Sequence, residues 1–376
     1  MKEKKLGNTD IIIPAIGQGC MGIGGDFTAD NSADAEQIRA LELGIDLGMT
    51  LIDTSELYAN GHSEELVGIV SKGRRDQLFI ATKFAPENNS YEGIIKSAER
   101  SLKNLNTDYI DLYQVHWPNP SIPIAETMLA MEKLVDDGKV RYIGLSNFSA
   151  KEMIDAQNVL KSKYIVSNQV EYNLFDRFIE QSILPYCESV NSTVIAYSPL
   201  DKGRAVEGEK RIKLLNNIAV AHNSTPAQVA INWLIRNPSV VVIPKAISEQ
   251  HIYQNASASD FELTDKEATE IDTLCNAEPE YIPVDQIQVS LKGEGGRKVY
   301  QTVEQALNNA LKFSPSPEEL AEFILEGEPI KPVRLVYSRN QNGKFKYELI
   351  EGRIRYWAWV IAYSDSKLIP SYIRQS

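Results

Sequence analysis

The stretch "AIGQGCMGIGGDFTADNS", residues 15 to 32, decides between two folds. Gly17, Gly19 and Gly22 spell GxGxxG, and after a strand that spacing can open a dinucleotide-binding βαβ unit. Such a unit needs a helix to begin at the glycines, so that its N-terminus faces a pyrophosphate. Here the turn-rich "IGGDFTADNS" follows, and helical periodicity begins only near residue 34. Residues 15 to 32 therefore read as a first strand and a long loop.

A hairpin pattern, "KKLG…IIIP", precedes this strand, and seven further apolar runs follow it: "TLID", "LFIATK", "YIDLYQVH", "VRYIGLSN", "IVSNQVEY", "STVIAYSPL" and "VVVIPKA". Between them, segments 34–47, 91–105 and 124–137 carry apolar residues at spacings of three and four, the helical period. Eight strands, each followed by a helix-length segment, predict an α/β protein built on a closed parallel (β/α)8 TIM barrel with an N-terminal β-hairpin.

The chain has 376 residues, more than one barrel of about 250 requires. Near residue 276 the alternation stops at "NAEPEYIPVDQI", which reads as a linker. The expected division is 1–278 and 279–376. The second part should hold an extended "IPVDQIQV", a helix over 302–312, a helix capped by Ser316, strands at "PVRLVYS" and "FKYELIEG" around a turn at "NQNGK", and a helix in "RIRYWAWVIAY".

With 43% hydrophobic and 24% charged residues the composition is that of a soluble globular protein. The polar start "MKEKKLGNTD" contains no membrane-length apolar run, which predicts a cytoplasmic protein with no membrane partner. Cys20, Cys187 and Cys275 are far apart and in no CxxC spacing, so neither a disulfide frame nor a metal site is expected. Of the net charge of −12, residues 281–376 contribute +2, leaving −14 on residues 1–280. An acidic body repels a nucleic-acid backbone, so no nucleic-acid partner is expected; oligomeric state is open.

In a parallel barrel, groups at the C-terminal ends of the strands converge on one mouth. Asp53 closes the second strand, Lys83 the third and His116 the fourth, and Tyr58 stands in the loop leaving the second. Singly, each has an ordinary reading: a helix cap, a surface phenol, a structural histidine. Together they suit delivery of a proton to a carbonyl oxygen. A free phenol, with pKa about 10, is a poor acid near neutrality. A nearby lysine ammonium favours the phenolate, so Lys83 is expected to lower the pKa of Tyr58. Asp53 would keep that ammonium charged, and His116 would donate to the carbonyl oxygen.

With "LIDTSELYANGHSEELVG", "ATK", "TDYIDLYQVHWP", "GKVRYIGLSNFS", "NQVEYN", "VIAYSPL" and "VIPKA" in this order, residues 1 to about 276 resemble the aldo-keto reductases. The resemblance implies a (β/α)8 barrel, reversible NAD(P)H-dependent reduction of an aldehyde, ketone or sugar without metal, and a catalytic tetrad at Asp53, Tyr58, Lys83 and His116. By the same resemblance Ser146, Asn147 and Gln169 hold the carboxamide, and Tyr197 stacks under the nicotinamide. Ser198, Leu200 and Lys202 meet the pyrophosphate, while Lys245, His251 and Asn255 lie near the adenosine end. A 2′-phosphate is best held by fixed cations. Lys245 is one, but His251 stands where many relatives place an arginine, and Ala246 where a serine is frequent. NADP(H) is preferred and NAD(H) stays open. Met21, Phe84 and Trp117, just past strand ends, are expected to line the substrate pocket.

The tail resembles the ParB N-terminal and sulfiredoxin-like fold, a small α+β domain, through "YELIEGRIRYWAW" with Gly352 and Arg355 in GxxR spacing. That resemblance implies a phosphate or nucleotide site at Gly352, Arg353 and Arg355. Seven Lys or Arg against two acids over 331–355 suit such a ligand, although basic strand residues also occur as a plain solvated face. Arg353 stands where sulfiredoxins place their cysteine, which argues against sulfinic-acid repair. Besides a reductase, two other readings stay open: a cofactor-sensing regulator whose tail recruits a nucleotide or protein partner, and a tail that is itself a nucleotide-dependent enzyme.

Overall fold

In the structure, a computed structural model, residues 1–201, 203, 209–275, 279–289, 298–311, 313, 315–338 and 345–374 are described. The chain divides into two units, Met1–Asn276 and Ala277–Ser376.

The first unit begins with an antiparallel hairpin of β1 (Glu3–Lys5) and β2 (Ile12–Pro14). Strands and helices then alternate: β3 (Gln18–Gly19), α1 (Asp34–Asp46), β4 (Leu51–Asp53), α2 (His62–Ser71), β5 (Phe79–Phe84), α3 (Tyr91–Asn104), β6 (Ile110–Val115), α4 (Ile124–Asp136), β7 (Val140–Ser146), α5 (Ala150–Val159), β8 (Ile165–Glu171), α6 (Ile183–Ser189), β9 (Thr193–Tyr197), α7 (Glu209–Ala221), α8 (Pro226–Ile235), β10 (Val240–Val242), α9 (Glu249–Ser257) and α10 (Asp265–Cys275). Strands β3 to β10 form one parallel sheet in sequence order. A parallel bridge between Ile16 and Val242 closes it, with the Gly17 N–H donating to the Val242 carbonyl at 2.8 Å. The fold is the (β/α)8 barrel that the alternation predicts.

Strands buried on both faces explain why the apolar runs are nearly continuous. Leu51, Phe79, Ala81, Leu112, Val166, Ile195 and Val241 form one apolar cluster with Leu6 and Ile13 of the hairpin, which stops the floor of the barrel. A larger cluster lies between strands and helices and includes Ile52, Ile80, Phe84 and Tyr113. Helix starts are set by local chemistry. Ser149 with Glu152 opens α5, and Thr225 with Gln228 opens α8, each as a reciprocal capping box.

Two of the three glycines that mimic a phosphate loop, Gly17 and Gly19, serve close packing of β3 against the neighbouring backbone. A Cβ on Gly17 would lie 2.6 Å from the Leu51 carbonyl oxygen, and one on Gly19 would lie 2.7 Å from that of Ile243. Backbone meets backbone there, so no larger residue fits without moving a strand.

The second unit is α+β. It contains β11 (Glu280–Ile282), β12 (Ile287–Val289), α11 (Val303–Leu307), α12 (Pro317–Leu325), β13 (Val333–Tyr337), β14 (Tyr347–Glu351), α13 (Arg353–Tyr363) and β15 (Ile369–Arg374). The strands form a mixed sheet in the order β11, β15, β13, β14, β12. Ser316 caps α12 in a capping box with Glu319. The helix expected over 302–312 is shorter, ending at Leu307, and the expected turn at "NQNGK" falls outside the described residues. No helix among the described residues is long and apolar enough to cross a membrane. All three cysteines are buried and unbridged.

Gly19→Ala should overpack the seam and lower stability by about 1 to 3 kcal/mol. A reduced urea midpoint for the barrel measures this; an unchanged midpoint contradicts the packing role.

Candidate active site

Along β5, side chains alternate between the two clusters: Phe79 and Ala81 face into the barrel, Ile80 and Phe84 face the helices. This parity turns Lys83 inward. Its side chain is 0% exposed. Three oxygens surround its Nζ: Asp53 Oδ2 at 2.7 Å, the Thr54 carbonyl at 2.9 Å and the Tyr58 hydroxyl at 3.4 Å. The other carboxylate oxygen of Asp53 accepts from Gln169 Nε2 at 2.7 Å and from Gln114 Nε2 at 3.4 Å. The pair is thus buried with its remaining valences filled, the condition under which a buried ion pair is tolerated.

The loop after β4 brings Tyr58 over this ammonium. Ala59 (φ 51°), Asn60 (φ 54°) and Gly61 (φ 91°) are three successive left-handed residues that turn the chain from Tyr58 into α2. For Ala59 that conformation is strained, at a cost of about 1 kcal/mol or more. Its N–H donates to the Asp26 carbonyl at 2.8 Å, which helps to hold it. Glu56 ties the same loop down, accepting from the Ala85 N–H and Asn88 Nδ2, both at 2.7 Å, and from Arg100 at 2.8 Å.

His116 follows β6 and is buried beside Tyr58, with ring centroids 5.9 Å apart and planes at 80°. Its Nδ1 lies 3.1 Å from Ser55 Oγ. Trp117 stacks on the histidine ring at 4.0 Å and is 37% exposed.

The charges follow from these placements. Burial holds His116 well below the usual imidazole range, and the nearby Lys83 adds to this, so the ring is neutral. Burial works against the charge on Lys83, yet Asp53 and Tyr58 raise it above the ordinary lysine value. For Tyr58 the sequence expectation needs correction. Burial pushes the phenol up, the Lys83 ammonium pulls it down, and Asp53 opposes the lysine, so the outcome lies above the ordinary tyrosine value. Lys83 moderates a rise; it does not produce a net fall.

Other expected residues separate into those brought together and those not. Tyr197 donates its hydroxyl to Asn147 Oδ1 at 3.0 Å, while Asn147 Nδ2 donates to the His116 carbonyl at 3.0 Å and to Ser146 Oγ at 3.1 Å. Ser146 Oγ donates to the Gln169 carbonyl at 3.0 Å. These amides, hydroxyls and one fixed ring sit beside the tetrad as a polar set of the kind that can orient a nicotinamide carboxamide. Ser198 (φ 49°) and Leu200 follow β9; Lys202 lies outside the described residues. Lys245 is exposed, its Nζ 3.8 Å from where a Cβ on Gly22 would stand. Exposed His251 and buried Asn255 lie on α9, whose N-terminus Ser248 caps. A cation beside a helix N-terminus suits the phosphate of NADP(H).

Met21 is 56% exposed and, like Trp117, open to a ligand. Phe84 is not: it is fully buried, 5.2 Å from the Tyr113 ring on the helix side of the strand. Because Lys83 points into the barrel, its neighbour must point away. Sequence reasoning also passed over Ser55 and Gln114, each two residues from a tetrad member along the chain. The same period of two along β6 from His116 was the available signal for Gln114.

In the second unit, Gly352 (φ 89°) is the residue before α13, and with Lys298, Tyr300, Phe313, Arg353 and Arg355 it lines a cavity of about 430 Å³. Arg353 Nε is buried without a hydrogen-bond partner. Arg355 departs from the expected clamp. Its guanidinium donates to the carbonyls of Lys331 (2.8 Å) and Pro332 (3.1 Å) and lies 3.9 Å from Glu351. Trp357 donates to the Tyr300 carbonyl from the core.

A wider cavity, about 1070 Å³, opens at the N-terminal ends of β9 and β10. There Lys4 Nζ donates to the carbonyls of Ile235, Asn237 and Val240, just past the end of α8. It lies at the opposite end from the tetrad. Among the described residues no group of His, Cys, Asp and Glu could hold a metal ion.

Residues 15–276 match the Aldo/keto reductase family. The chain is 40% identical over 264 residues to a methylglyoxal reductase of Escherichia coli (strain K12), spanning 70% of this chain and 91% of that relative. It is 36% identical over 253 residues to a glyoxal reductase of Bacillus subtilis (strain 168), spanning 66% and 87%. Among solved structures, an aldo/keto reductase from Klebsiella pneumoniae in complex with NADP and acetate aligns with a TM-score of 0.68 at 36% identity, over 73% of this chain and 95% of that one.

Removing one member of the buried pair should leave an uncompensated charge. Asp53→Ala is expected to destabilise the barrel by about 3 to 5 kcal/mol, and adding Lys83→Met should recover most of the loss. Chemical denaturation of both variants measures this; a double variant no more stable than the single one contradicts the pairing.

Proposed function

The chain belongs to the aldo/keto reductase family and is an NADP(H)-dependent oxidoreductase that reduces carbonyls; from that premise we propose that its substrates are small aldehydes, 2-oxoaldehydes in particular, with Tyr58 as the proton donor. The observation that carries the proposal is the Lys83 ammonium, buried, paired with Asp53 and 3.4 Å from the Tyr58 hydroxyl. The two named relatives act on methylglyoxal and glyoxal, which supports the substrate class.

NADPH, when bound, supplies the hydride. Ser146, Asn147 and Gln169 would hold its carboxamide, Tyr197 would lie under its ring, and Lys245 with the start of α9 would hold its phosphate. Tyr58 and neutral His116 share one space and converge on the substrate oxygen. As the carbonyl carbon is reduced, its oxygen gains negative charge and takes the phenolic proton. The phenolate left behind is stabilised by Lys83, which is fixed by Asp53 and the Thr54 carbonyl and need not reorganise. Because burial keeps Tyr58 protonated at neutral pH, the enzyme waits in the acid form that reduction requires.

Tyr58→Phe should lower kcat for methylglyoxal reduction by about 10²- to 10⁴-fold while NADPH affinity stays within about twofold. Full activity in that variant would contradict the assignment. Tight NADPH binding by the wild type with no oxidation by any carbonyl would favour a cofactor-sensing regulator. The pH dependence follows from the raised phenol. Reduction should be nearly flat from about pH 6 to about pH 9, whereas alcohol oxidation, which needs the phenolate, should climb through that range. An acid-side loss of the reduction rate near the ordinary histidine value would contradict a neutral His116.

For the second unit we propose a phosphate-bearing ligand, in keeping with the ParB N-terminal and sulfiredoxin-like resemblance. The cavity before α13 and the partnerless Arg353 Nε support it. Calorimetry on the full chain with ATP, ADP, CTP and inorganic phosphate tests it. Binding by the wild type that Arg353→Gln weakens at least tenfold is expected; absence of heat with all four removes the proposal.

A further inference from the structure

The reduction places a specific demand on His116. A neutral imidazole has one N–H for two ring nitrogens, and a carbonyl oxygen can only accept. Only the tautomer with its proton on Nε2 can serve such an oxygen, and which tautomer is present depends on what Nδ1 meets. It meets Ser55 Oγ, at 3.1 Å.

Ser55 is fully buried, with one proton to give and lone pairs to share. The Leu57 N–H donates to it at 3.2 Å, which uses one lone pair. Its proton has two destinations in reach, His116 Nδ1 and the Lys83 carbonyl at 3.2 Å. That carbonyl already accepts the Glu56 N–H at 3.1 Å, so it is satisfied without the serine. If Ser55 gave its proton to the carbonyl, Nδ1–H would donate to Ser55 and Nε2 would turn a bare lone pair to the substrate oxygen. If it gives its proton to Nδ1, the N–H stands on Nε2. No side chain among the described residues bonds to Nε2.

We propose that Ser55 is a positioning residue for carbonyl reduction: its hydroxyl donates to His116 Nδ1 and so holds the ring as the Nε2–H tautomer that receives the carbonyl oxygen. This rests on the reductase reading above. It gives the residue after "DT" in "LIDTSELY" a task distinct from those of Asp53, Tyr58 and Lys83. The backbone fixes the geometry, because Ser55 Oγ is anchored by the Leu57 N–H in the turn that presents Tyr58, while Asn147 Nδ2 fixes the His116 carbonyl. Outer partners that set a histidine's tautomer at metal sites are worth roughly 10- to 100-fold in affinity or activity, which sets the scale expected here.

The test joins a spectroscopic and a kinetic measurement. Nitrogen NMR of protein labelled with ¹⁵N-histidine, bound to NADP⁺ and an unreactive carboxylate such as acetate, reads the tautomer of His116 with no turnover, so it stands whatever becomes of the Tyr58 assignment. The wild type should show a protonated Nε2 and a bare Nδ1, and Ser55→Ala should move the ring toward protonated Nδ1. In steady state Ser55→Ala should lower kcat for carbonyl reduction roughly 10- to 100-fold with NADPH affinity unchanged. A protonated Nδ1 in the wild type, an unchanged tautomer or unchanged kcat in Ser55→Ala, or a loss of NADPH affinity matching the loss of rate would each overturn the proposal.

Discussion

A lysine ammonium with no access to water is the constraint around which the barrel mouth is arranged. Lys83 can keep its charge only because Asp53 faces it at 2.7 Å and the Thr54 carbonyl at 2.9 Å, and Asp53 in turn only because Gln169 and Gln114 occupy its second oxygen. Four strands, β4, β5, β6 and β8, must therefore end in register for one charge to be tolerated. A closed parallel barrel provides that convergence, since adjacent strands deliver their inward residues to a common layer. The hydrophobic interior below it supplies the low dielectric that makes the arrangement matter.

Tyr58 lives in the competition this creates. Burial favours the neutral phenol, the ammonium favours the phenolate, and the carboxylate behind the ammonium weakens it. Burial prevails before reaction, so the proton stays on the phenol at neutral pH. Once the proton leaves, the ammonium stands 3.4 Å away with its partners already in place. Readiness to give the proton is thus stored in a preorganised charge rather than in a low resting pKa. The strained backbone at Ala59, held by the Asp26 carbonyl and by the Glu56 bonds beside it, keeps the phenol over that charge.

Much of the barrel and its mouth was legible in the sequence, for a physical reason: parallel strands are buried on both faces, so each is an apolar run, and a polar residue ending such a run stands out. Asp53, Lys83 and His116 were singled out this way, and the fold brings Asp53 and Lys83 into contact. What escaped was the period of two along each strand. Phe84 was placed in the pocket by its position just past a strand end, when alternation sends it to the helix side, and the same alternation along β6 would have found Gln114. Ser55 gave no signal, since its partner His116 is sixty-one residues away and only the folded chain brings them together. In the second unit β15 was not anticipated, and its second residue, Pro370, is of a type that seldom stands inside a sheet. Pro370 stands opposite Tyr281 of β11, and pairing with β13 begins one residue later, at Ser371.

The glycines at residues 17 and 19 show how the same letters can serve two physical ends. In one fold they admit a phosphate; here they admit a neighbouring backbone. That the Lys83 charge restrains the rise that burial imposes on the Tyr58 phenol is tested by titrating that phenol through its ¹³Cζ resonance. A value above that of free tyrosine is expected in the wild type, and a higher one still in Asp53→Asn/Lys83→Met, where the cavity persists without charge. A value that is unchanged or lower in that variant would contradict it.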